Sequence, residues 1–244
     1  MNLTIDIGNT QVKIALFLGN KIVSSMQIQE LTSETIGNIL KKYPQTDKCI
    51  LSASGLIPEG TVEELKKHIP YFMQFNHQSA LPFISKYETP ASIGLDRLAA
   101  VAGCIDEFKD KNVLIIDAGT AITFEFKNKH NEYLGGTISS GLRMRFKALN
   151  AYTEKLPLLE PLSHTELFGK NTQDAIVSGV VNGMVYEITG VIENFEKIYD
   201  NLTVILTGGD AHFFEIKLKK TIFVLPNLVT SGLNTILNYN ASNR

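Results

Sequence analysis

The sequence predicts an α/β protein built from two tandem halves, 1–110 and 111–244. A pattern of three short strands followed by further strands and helices occurs near the N-terminus and recurs after residue 110. An acidic turn recurs with it: Asp-Ile-Gly-Asn-Thr from Asp6 aligns with Asp-Ala-Gly-Thr-Ala from Asp117, at an offset of 111 residues in a chain of 244. Repetition at about half the chain length indicates duplicated units. We therefore expect two α+β halves that meet at a cleft.

Composition narrows the class of protein. Apolar residues make up 44% and charged residues 20%, which is typical of a globular chain. The net charge of −2 lacks the basic footprint of a nucleic-acid binder, although a local basic pocket for a small anion remains possible. Cys49 and Cys104 form no CxxC motif, so we expect neither a disulfide framework nor a structural zinc site. No 18-residue apolar run or basic leader occurs, which predicts a cytoplasmic protein without a membrane partner.

Strand and helix signals in the first half are local. Gly19-Asn20 is a hairpin signal, and Thr32 or Ser33 can cap a helix. Leu95, Leu98, Ala99, Ala102 and Ile105 form the apolar stripe of another helix. The expected strands are 3–7, 12–17, 21–28 and 49–53. Three helices are expected: the first begins at Thr32 or Ser33, and the other two span 61–68 and 94–108.

The second half repeats this alternation. The expected strands are 113–116, 121–126, 133–138, 203–206 and 222–225. One long helix or a broken pair of helices is expected over 172–199, and a last helix is expected from about Thr230. In the helix 172–199, Ala175, Gly179 and Gly183 recur at intervals of four. Small residues at that spacing allow close approach of another backbone. We favour tight packing within the fold, with a subunit interface as the alternative.

The turn from Asp6 to Lys13 has the composition of a phosphate site. Gly8 can adopt positive φ, and consecutive amides in such a turn can form an anion-binding nest. Thr10 adds a hydroxyl and Lys13 a positive charge. Asp6 would repel a phosphate, so a bridging Mg²⁺, commonly held through water, best explains its presence. The alternative is an ordinary hairpin whose Asp and Asn stabilise the turn.

The second acidic turn strengthens this interpretation. Asp117-Ala-Gly-Thr120 offers a carboxylate, a glycine and a hydroxyl at a strand end. Two such turns on either side of a nucleoside triphosphate are the arrangement of the actin, hexokinase and Hsp70 superfamily. Asp117 could instead simply end its strand. Gly208-Gly209-Asp210 follows another strand and fits either a third nucleotide contact or a plain turn.

The segment Gly94-Leu95-Asp96-Arg97 opens a predicted helix. The helix macrodipole favours an ionised carboxylate in the first turn, and such a group can accept a hydroxyl proton during phosphoryl transfer. Arg97 can bind a carboxylate or phosphate through two parallel hydrogen bonds. A helix cap paired with a surface arginine explains the same residues equally well.

Other catalytic signatures are absent from the sequence. There is no GxxxxGK[ST], GxGxxG, HExxH or GxSxG motif, and the five histidines have no ligand-like spacing.

Taken together, the motifs resemble those of type III pantothenate kinases, in the acetate and sugar kinase/Hsc70/actin superfamily. The resemblance covers nearly the whole chain and rests on the order and spacing of several motifs. They are Asp6–Lys13, Gly94–Arg97, Asp117–Thr123, Gly135-Gly136-Thr137-Ile138, Thr172–Ile176 with Gly179, and Thr207–Asp210. It implies an RNase H-like (actin-like ATPase) core in each half, with a nucleotide cleft between them.

The resemblance also implies a reaction and a set of site residues. The reaction is ATP-dependent phosphorylation of pantothenate at its terminal hydroxyl, the first step toward coenzyme A, with Mg²⁺ and either K⁺ or NH₄⁺. Asp96 matches the proton acceptor, Asp117 the monovalent-cation ligand and Asp6 the group that holds Mg²⁺, through water. A homodimer is implied, with pantothenate near the subunit interface. The implied ATP contacts are Asp6, Ile7, Gly8, Asn9, Thr10, Gln11, Val12, Lys13 and Thr120, and the implied pantothenate contacts are Tyr87, Gly94, Leu95, Asp96, Arg97 and Thr172.

The chain departs from the family pattern at one place. The family usually has a Pro-Gly pair after the Gly-Gly-x-Ile motif, whereas Ser140 precedes Gly141 here, which leaves the rigidity of this loop in question. Two alternative functions remain from the sequence alone. One is another small-molecule, sugar-type kinase of the same superfamily, and the other is a non-catalytic nucleotide-binding regulatory module.

Overall fold

The computed structural model describes residues 1–242, which form two compact units. The first unit contains Met1–Lys109, Asn131–Tyr133 and the described residues from Asn227 onward. The second contains Asp110–His130 and Leu134–Pro226. The contacts therefore group the C-terminal helix with the first unit. The division into duplicated halves at 1–110 and 111–244 stays a prediction.

Strands and helices alternate along both units. In chain order the strands are β1 (Asn2–Ile7), β2 (Val12–Leu18), β3 (Lys21–Ile28), β4 (Lys48–Ala53), β5 (Tyr71–Gln74), β6 (Ile84–Ser85), β7 (Val113–Ala118), β8 (Ala121–Lys127), β9 (Glu132–Ser140), β10 (Thr203–Thr207) and β11 (Phe223–Val224). The helices are α1 (Ser33–Lys42), α2 (Thr61–His68), α3 (Leu95–Ala102), α4 (Leu142–Ala151), α5 (Thr172–Ile198), α6 (Ala211–Glu215) and α7 (Leu228–Ser242), with a 3₁₀ turn at Pro90–Ser92.

The sheet of the first unit has the order β3-β2-β1-β4-β5. The predicted antiparallel β1, β2 and β3 are confirmed, and β1 also pairs in parallel with β4. Every residue of β1 is buried, because the strand lies inside the sheet and is covered by the apolar cluster of this unit. In this register Asp6 lies opposite Lys13 on β2 and opposite Ser52 on β4. Directly paired residues project to the same sheet face, so these three side chains are neighbours.

In the second unit five strands pair in the order β11-β10-β7-β8-β9. The β7–β8 pair is antiparallel and β10 runs parallel to β7. Apolar residues of β7, β8 and β10 pack with α4 and α5 in one buried cluster. Helix α5 is long and apolar enough to cross a membrane by length and composition alone, and 44% of its most apolar window is buried inside the fold. A core helix of a soluble protein passes the same test, so this is weak evidence for a membrane span.

Helix α5 corrects one expectation. A Cβ atom added at Gly179 or Gly183 would meet no other residue within 4 Å, so these glycines do not mediate close packing within the chain. The buried side of α5 is formed instead by larger residues such as Val181, Met184 and Ile188. Among residues 1–242, the small-residue face of this helix is therefore open.

One further expectation about a helix was wrong. The helix expected over 94–108 ends at Ala102, and the segment 103–110 continues as turns. A Cβ at Gly103 would lie 2.5 Å from the carbonyl oxygen of Leu228, which shows how closely this point contacts α7. Helices α4 and α6 and strands β5 and β6 were not predicted.

Helices α3 and α7 approach each other at Gly232. A Cβ on this residue would lie 1.7 Å from the carbonyl oxygen of Ala99 and 2.8 Å from the amide nitrogen of Gly103. Both neighbours are backbone atoms that cannot rotate away. The absence of a side chain at residue 232 therefore sets the distance between the two helices.

We expect Gly232→Ala to lower the free energy of unfolding by about 1–3 kcal/mol, the usual range for overpacking a close contact. The matched control is Gly37→Ala in α1, where a Cβ would meet nothing within 4 Å. Replacing an exposed helical glycine by alanine raises stability by roughly 0.5–1 kcal/mol. Urea denaturation of both variants should give changes of opposite sign, and equal stabilities would contradict the packing argument.

Candidate active site

The first acidic turn connects β1 to β2 beside the end of β4. Asp6 is 6% exposed, and its neighbour in the sheet, Ser52, is completely buried. Gly8 does not adopt the positive φ that the sequence suggested. A Cβ on Gly8 would lie 3.1 Å from the Gln11 carbonyl, which accepts a hydrogen bond from the Gly8 amide. A side chain at residue 8 would therefore contact the turn tightly, and the Gly8 amide is committed within the turn.

Helix α3 begins with the residues expected to act on the acceptor alcohol. Gly94 is the N-cap residue, and Asp96 lies in the first turn. The Asp96 carboxylate accepts a hydrogen bond from the amide of Arg97 at 2.9 Å. A Cβ on Gly94 would lie 2.4 Å from the same carboxylate, at Oδ1. Gly94 therefore leaves the space in which the Asp96 carboxylate lies.

Arg97 and Tyr87 come together in the first unit. Arg97 is 7% exposed, and its guanidinium carbon lies 5.6 Å from the centre of the Tyr87 ring, within the range of a cation–π interaction. The surface salt bridge between Asp96 and Arg97, the alternative drawn from the sequence, does not fit a side chain this deeply buried. The Arg97 guanidinium also contacts Tyr133, a residue that the sequence analysis did not select.

The second acidic turn connects β7 to β8 and contacts the loop after β10. The amide of Asp210 donates to the carbonyl of Ala118 at 2.9 Å. Gly208 has φ +94°, and a Cβ there would lie 2.4 Å from Asp117 Oδ1 and 2.5 Å from the Ala118 carbonyl oxygen. The Gly208-Gly209-Asp210 loop therefore packs directly against Asp117, and glycine is required at 208 by both conformation and space.

Gly141 packs against the same turn from another side. A Cβ on Gly141 would lie 2.3 Å from the carbonyl oxygen of Thr120 and 2.4 Å from that of Gly119. The loop before it is held by Arg145, whose Nε donates to the Ser140 carbonyl at 2.9 Å and which forms an ion pair with Glu187. The backbone at Ser140 is thus held by a side-chain contact at the position where the family usually has proline.

Asp210 connects this loop to α4. Its carboxylate accepts a 2.6 Å hydrogen bond from Arg143 Nη1. The Asp210 carboxylate raises the pKa of the Arg143 guanidinium, first through this hydrogen bond and then through charge attraction. Arg143 is half-exposed, so the contact orients Asp210 more than it stabilises the fold.

Thr172 is the first residue of α5 and is exposed. The helix is capped by Asn171, whose Oδ1 accepts a hydrogen bond from the amide of Asp174 at 3.0 Å. A Cβ on Gly169 would lie 2.0 Å from the amide nitrogen of Ala175, so the preceding loop is folded closely against the helix start. Thr172 therefore has a fixed backbone and an accessible side chain.

The donor sets fit the metals that the sequence implies. Within residues 1–242 no cluster of three His, Cys, Asp or Glu side chains could hold a metal ion. Asp6 offers a single carboxylate, which suits Mg²⁺ bound mainly by phosphate and water. Asp117 shares its turn with the hydroxyl-bearing Thr120, and both Asp117 Oδ1 and the Ala118 carbonyl oxygen lie next to Gly208. An all-oxygen set of this kind suits a hard monovalent cation.

Sequence reasoning selected the two acidic turns and the helix start but missed residues that support them. Tyr133 and Arg145 each contact a residue that is distant in the sequence: Tyr133 contacts Arg97, and Arg145 contacts Glu187. Ser52 pairs with Asp6 through a parallel strand. A serine within a strand of otherwise apolar residues, Cys49-Ile50-Leu51, was the available signal for Ser52.

The chain is similar to curated proteins over its whole length. The sequence model described as type III pantothenate kinase matches residues 2–194. A protein named type III pantothenate kinase from Christiangramia forsetii is 41% identical over 98% of this chain and 99% of its own. A protein of the same name from Bacteroides fragilis is 42% identical, with 98% of each chain covered.

Solved structures are similar in fold. A chain from Campylobacter jejuni described as a conserved Baf family transcriptional activator has a TM-score of 0.62 at 21% identity, covering 98% of this chain and 99% of its own. The activator of 2-hydroxyisocaproyl-CoA dehydratase from Clostridium difficile, solved with bound ADPNP, has a TM-score of 0.52 at 12% identity, covering 99% and 94%. At these identities the likeness shows the fold alone. These neighbours bear out the predicted α/β fold class.

Proposed function

The chain belongs to the type III pantothenate kinase family, and we propose how its residues carry out the ATP-dependent phosphorylation of pantothenate that begins coenzyme A synthesis. Full-length similarity to proteins of this name carries the assignment of the reaction and favours it over a sugar-type kinase or a non-catalytic module. The roles of individual residues below are supported by the geometry of each unit and by the motif resemblance.

Asp96 is the proposed proton acceptor. It lies in the first turn of α3 beside Gly94, whose missing side chain leaves room for the carboxylate. Phosphoryl transfer needs an oriented nucleophile more than covalent chemistry from the protein. The carboxylate would align the pantothenate hydroxyl and take its proton as the phosphorus–oxygen bond forms. Gly94, Leu95 and Arg97 would hold the substrate around it, together with Tyr87 and Thr172.

The turn from Asp6 to Lys13 is the proposed phosphate site. Asp6 and Lys13 are paired across β1 and β2, so a carboxylate and an ammonium lie on one sheet face. Lys13 would offset charge on the β- and γ-phosphates, and Asp6 would hold Mg²⁺ through water. When bound, Mg²⁺ neutralises negative charge that develops during transfer. The remaining proposed ATP contacts are Ile7, Gly8, Asn9, Thr10, Gln11 and Val12, with Thr120 on the second turn.

Asp117 is the proposed ligand of a monovalent cation, K⁺ or NH₄⁺. Its support is the tight packing of Gly208 on the Asp117 carboxylate and of Gly141 on Thr120, which fixes the oxygen atoms of this turn. A preorganised set of oxygen ligands would hold the cation without a reorganisation cost, and the cation would supply positive charge to offset the charge of the phosphates. We also propose that the protein is a cytoplasmic homodimer, as the resemblance implies. Light scattering would measure the molar mass and so test the dimer.

The direct test is turnover of pantothenate by the purified chain. We expect ADP release that requires pantothenate, ATP, Mg²⁺ and either K⁺ or NH₄⁺, with controls that omit each in turn. A panel of hexoses and N-acetylhexosamines should give no comparable rate. Turnover of a sugar in preference to pantothenate would contradict the proposed substrate, and full activity in sodium salts alone would contradict the monovalent-cation site.

We expect Gly208→Ala to weaken binding of the monovalent cation at the proposed Asp117 site. The added Cβ would press on Asp117 Oδ1. The alanine would also have to keep the positive φ of residue 208, which costs about 1–3 kcal/mol in strain. The potassium concentration for half-maximal rate should therefore rise severalfold. Gly209→Ala is the matched control, because a Cβ there would meet nothing within 4 Å. Identical potassium titrations of the two variants would argue against a cation at Asp117.

A further inference from the structure

We propose that Tyr133 is a positioning residue that holds Arg97 and Tyr87 in the geometry needed to bind pantothenate. The inference rests on the proposed contacts of Arg97 and Tyr87 with the substrate. Tyr133 belongs to neither acidic turn nor to the start of α3, and it comes from the first residues of β9.

The hydroxyl of Tyr133 holds the guanidinium of Arg97. Tyr133 is completely buried, and its Oη accepts a hydrogen bond from Arg97 Nη2 at 3.1 Å. A guanidinium as buried as that of Arg97 needs polar partners, because desolvation of a charged group is costly. The hydrogen bond fixes the rotation of the planar guanidinium about its stem. Arg97 can therefore meet the substrate in one orientation.

The ring of Tyr133 supports the other member of the pair. It is stacked parallel to the Tyr87 ring, with 6.1 Å between ring centroids and 1° between the planes. The Arg97 guanidinium carbon lies 5.6 Å from the centre of the Tyr87 ring. We call these three mutually contacting side chains the Arg97–Tyr87–Tyr133 cluster. Movement of Tyr133 would change the position of both proposed substrate contacts.

The backbone of Tyr133 also fixes the segment that carries Tyr87. Its carbonyl accepts a hydrogen bond from the amide of Lys86 at 2.9 Å, and it pairs with Ser85 in the short parallel β6–β9 ladder. Phe83 packs edge-on against its ring at 6.3 Å between centroids. Tyr133 is thus anchored along residues 83–86, and its hydroxyl reaches across to α3.

This arrangement has a specific kinetic consequence. Ordering of two side chains before the substrate arrives reduces the entropy lost on binding. Loss of the Tyr133 hydroxyl should therefore weaken pantothenate binding while leaving the ATP turns unchanged. A role confined to folding would instead affect both substrates, or the stability of the chain, without discrimination.

The test is Tyr133→Phe, which removes only the hydroxyl. We expect KM for pantothenate to rise roughly tenfold, on the order of one hydrogen bond to a charged group, with KM for ATP unchanged. The matched control is Tyr239→Phe on α7, an exposed tyrosine in the same unit, which should leave both constants unchanged. A Tyr133→Phe enzyme with a normal KM for pantothenate, or with both constants raised equally, would overturn the inference.

A double-mutant cycle separates this inference from the proposed substrate site. Arg97→Gln should raise KM for pantothenate, and adding Tyr133→Phe to it should have little further effect, because the two residues act as a unit. Additive effects would overturn the coupling, although the Arg97 contact would survive. An unchanged KM in Arg97→Gln would instead refute the proposed Arg97 contact, and the role of Tyr133 would be refuted with it.

Discussion

Asp96→Asn should lower kcat by about 10²–10⁴-fold, the usual contribution of a positioned general base. The amide has nearly the same shape as the carboxylate but cannot accept the proton of the pantothenate hydroxyl. Its carbonyl oxygen can still accept the hydrogen bond that the Arg97 amide donates at 2.9 Å. Helix α3 should therefore remain intact. ATP binding should also be retained, since the proposed phosphate contacts lie on other segments.

The measurement is steady-state turnover combined with the rise in melting temperature that ATP produces, which reports binding to the folded protein. Asp110→Asn is the matched control, an exposed aspartate in the same part of the sequence for which the same substitution should leave kcat unchanged. Gly94→Ala provides a second approach, because its Cβ would lie 2.4 Å from Asp96 Oδ1 and displace the carboxylate. Near-normal turnover by Asp96→Asn would remove Asp96 from the base role.

Asp6→Asn should reduce kcat at ordinary Mg²⁺ concentrations by at least about a hundredfold, comparable to removal of one preorganised electrostatic contact. The substitution removes a buried negative charge that lies opposite Lys13 and Ser52. Without it, the proposed Mg²⁺ site would depend on phosphate oxygens and water alone. The Mg²⁺ concentration needed for half-maximal rate should rise as well.

A magnesium titration at saturating ATP and pantothenate distinguishes this role from a structural one. If the role of Asp6 were purely structural, Asp6→Asn would have a lower melting temperature and an unchanged magnesium dependence. Thermal unfolding without ligands is therefore the companion measurement. Wild-type activity and an unchanged magnesium titration would refute the metal-linked first turn.

Local sequence signals predicted most of the sheet correctly. Gly19-Asn20 located the hairpin between β2 and β3, and β3 spans the predicted 21–28. Thr32 caps α1, where its side chain accepts a hydrogen bond from the Thr35 amide, as its position before the apolar stripe indicated. Helix α2 covers the predicted 61–68. Turn chemistry and capping act within a few residues, so one sequence contains the information.

Elements defined by distant contacts were missed or misplaced. Strand β5 is four residues long and exists because it pairs with β4, while α3 stops where Gly103 meets Leu228. Neither partner can be identified from the local pattern. Helix α4 was a different kind of miss, because Leu142, Phe146 and Leu149 already have helical spacing and two of them are buried.

The residues of the candidate site also fall into two groups, those in contiguous motifs and those defined by distant contacts. The acidic turns and the Gly94–Arg97 segment are contiguous motifs, so the sequence identified the residues, whose roles stay predictions. Tyr133 and Arg145 were not identified, because their partners lie 36 and 42 positions away. No single motif contains both ends of such a contact. The structure adds the supporting residues, and the sequence alone supplies the candidates for chemistry.

The packing of α3 against α7 through Gly232 affects how this enzyme becomes active during synthesis on the ribosome. Asp96 and Arg97 are translated more than a hundred residues before α7 emerges, yet α3 contacts α7 along its length in the finished chain. A nascent chain therefore cannot complete the packing of α3, which carries the proposed proton acceptor Asp96, until residues 228–242 have left the exit tunnel. Premature termination after Thr172 but before α7 would release a polypeptide without kinase activity, even though every residue proposed to contact ATP or pantothenate is present.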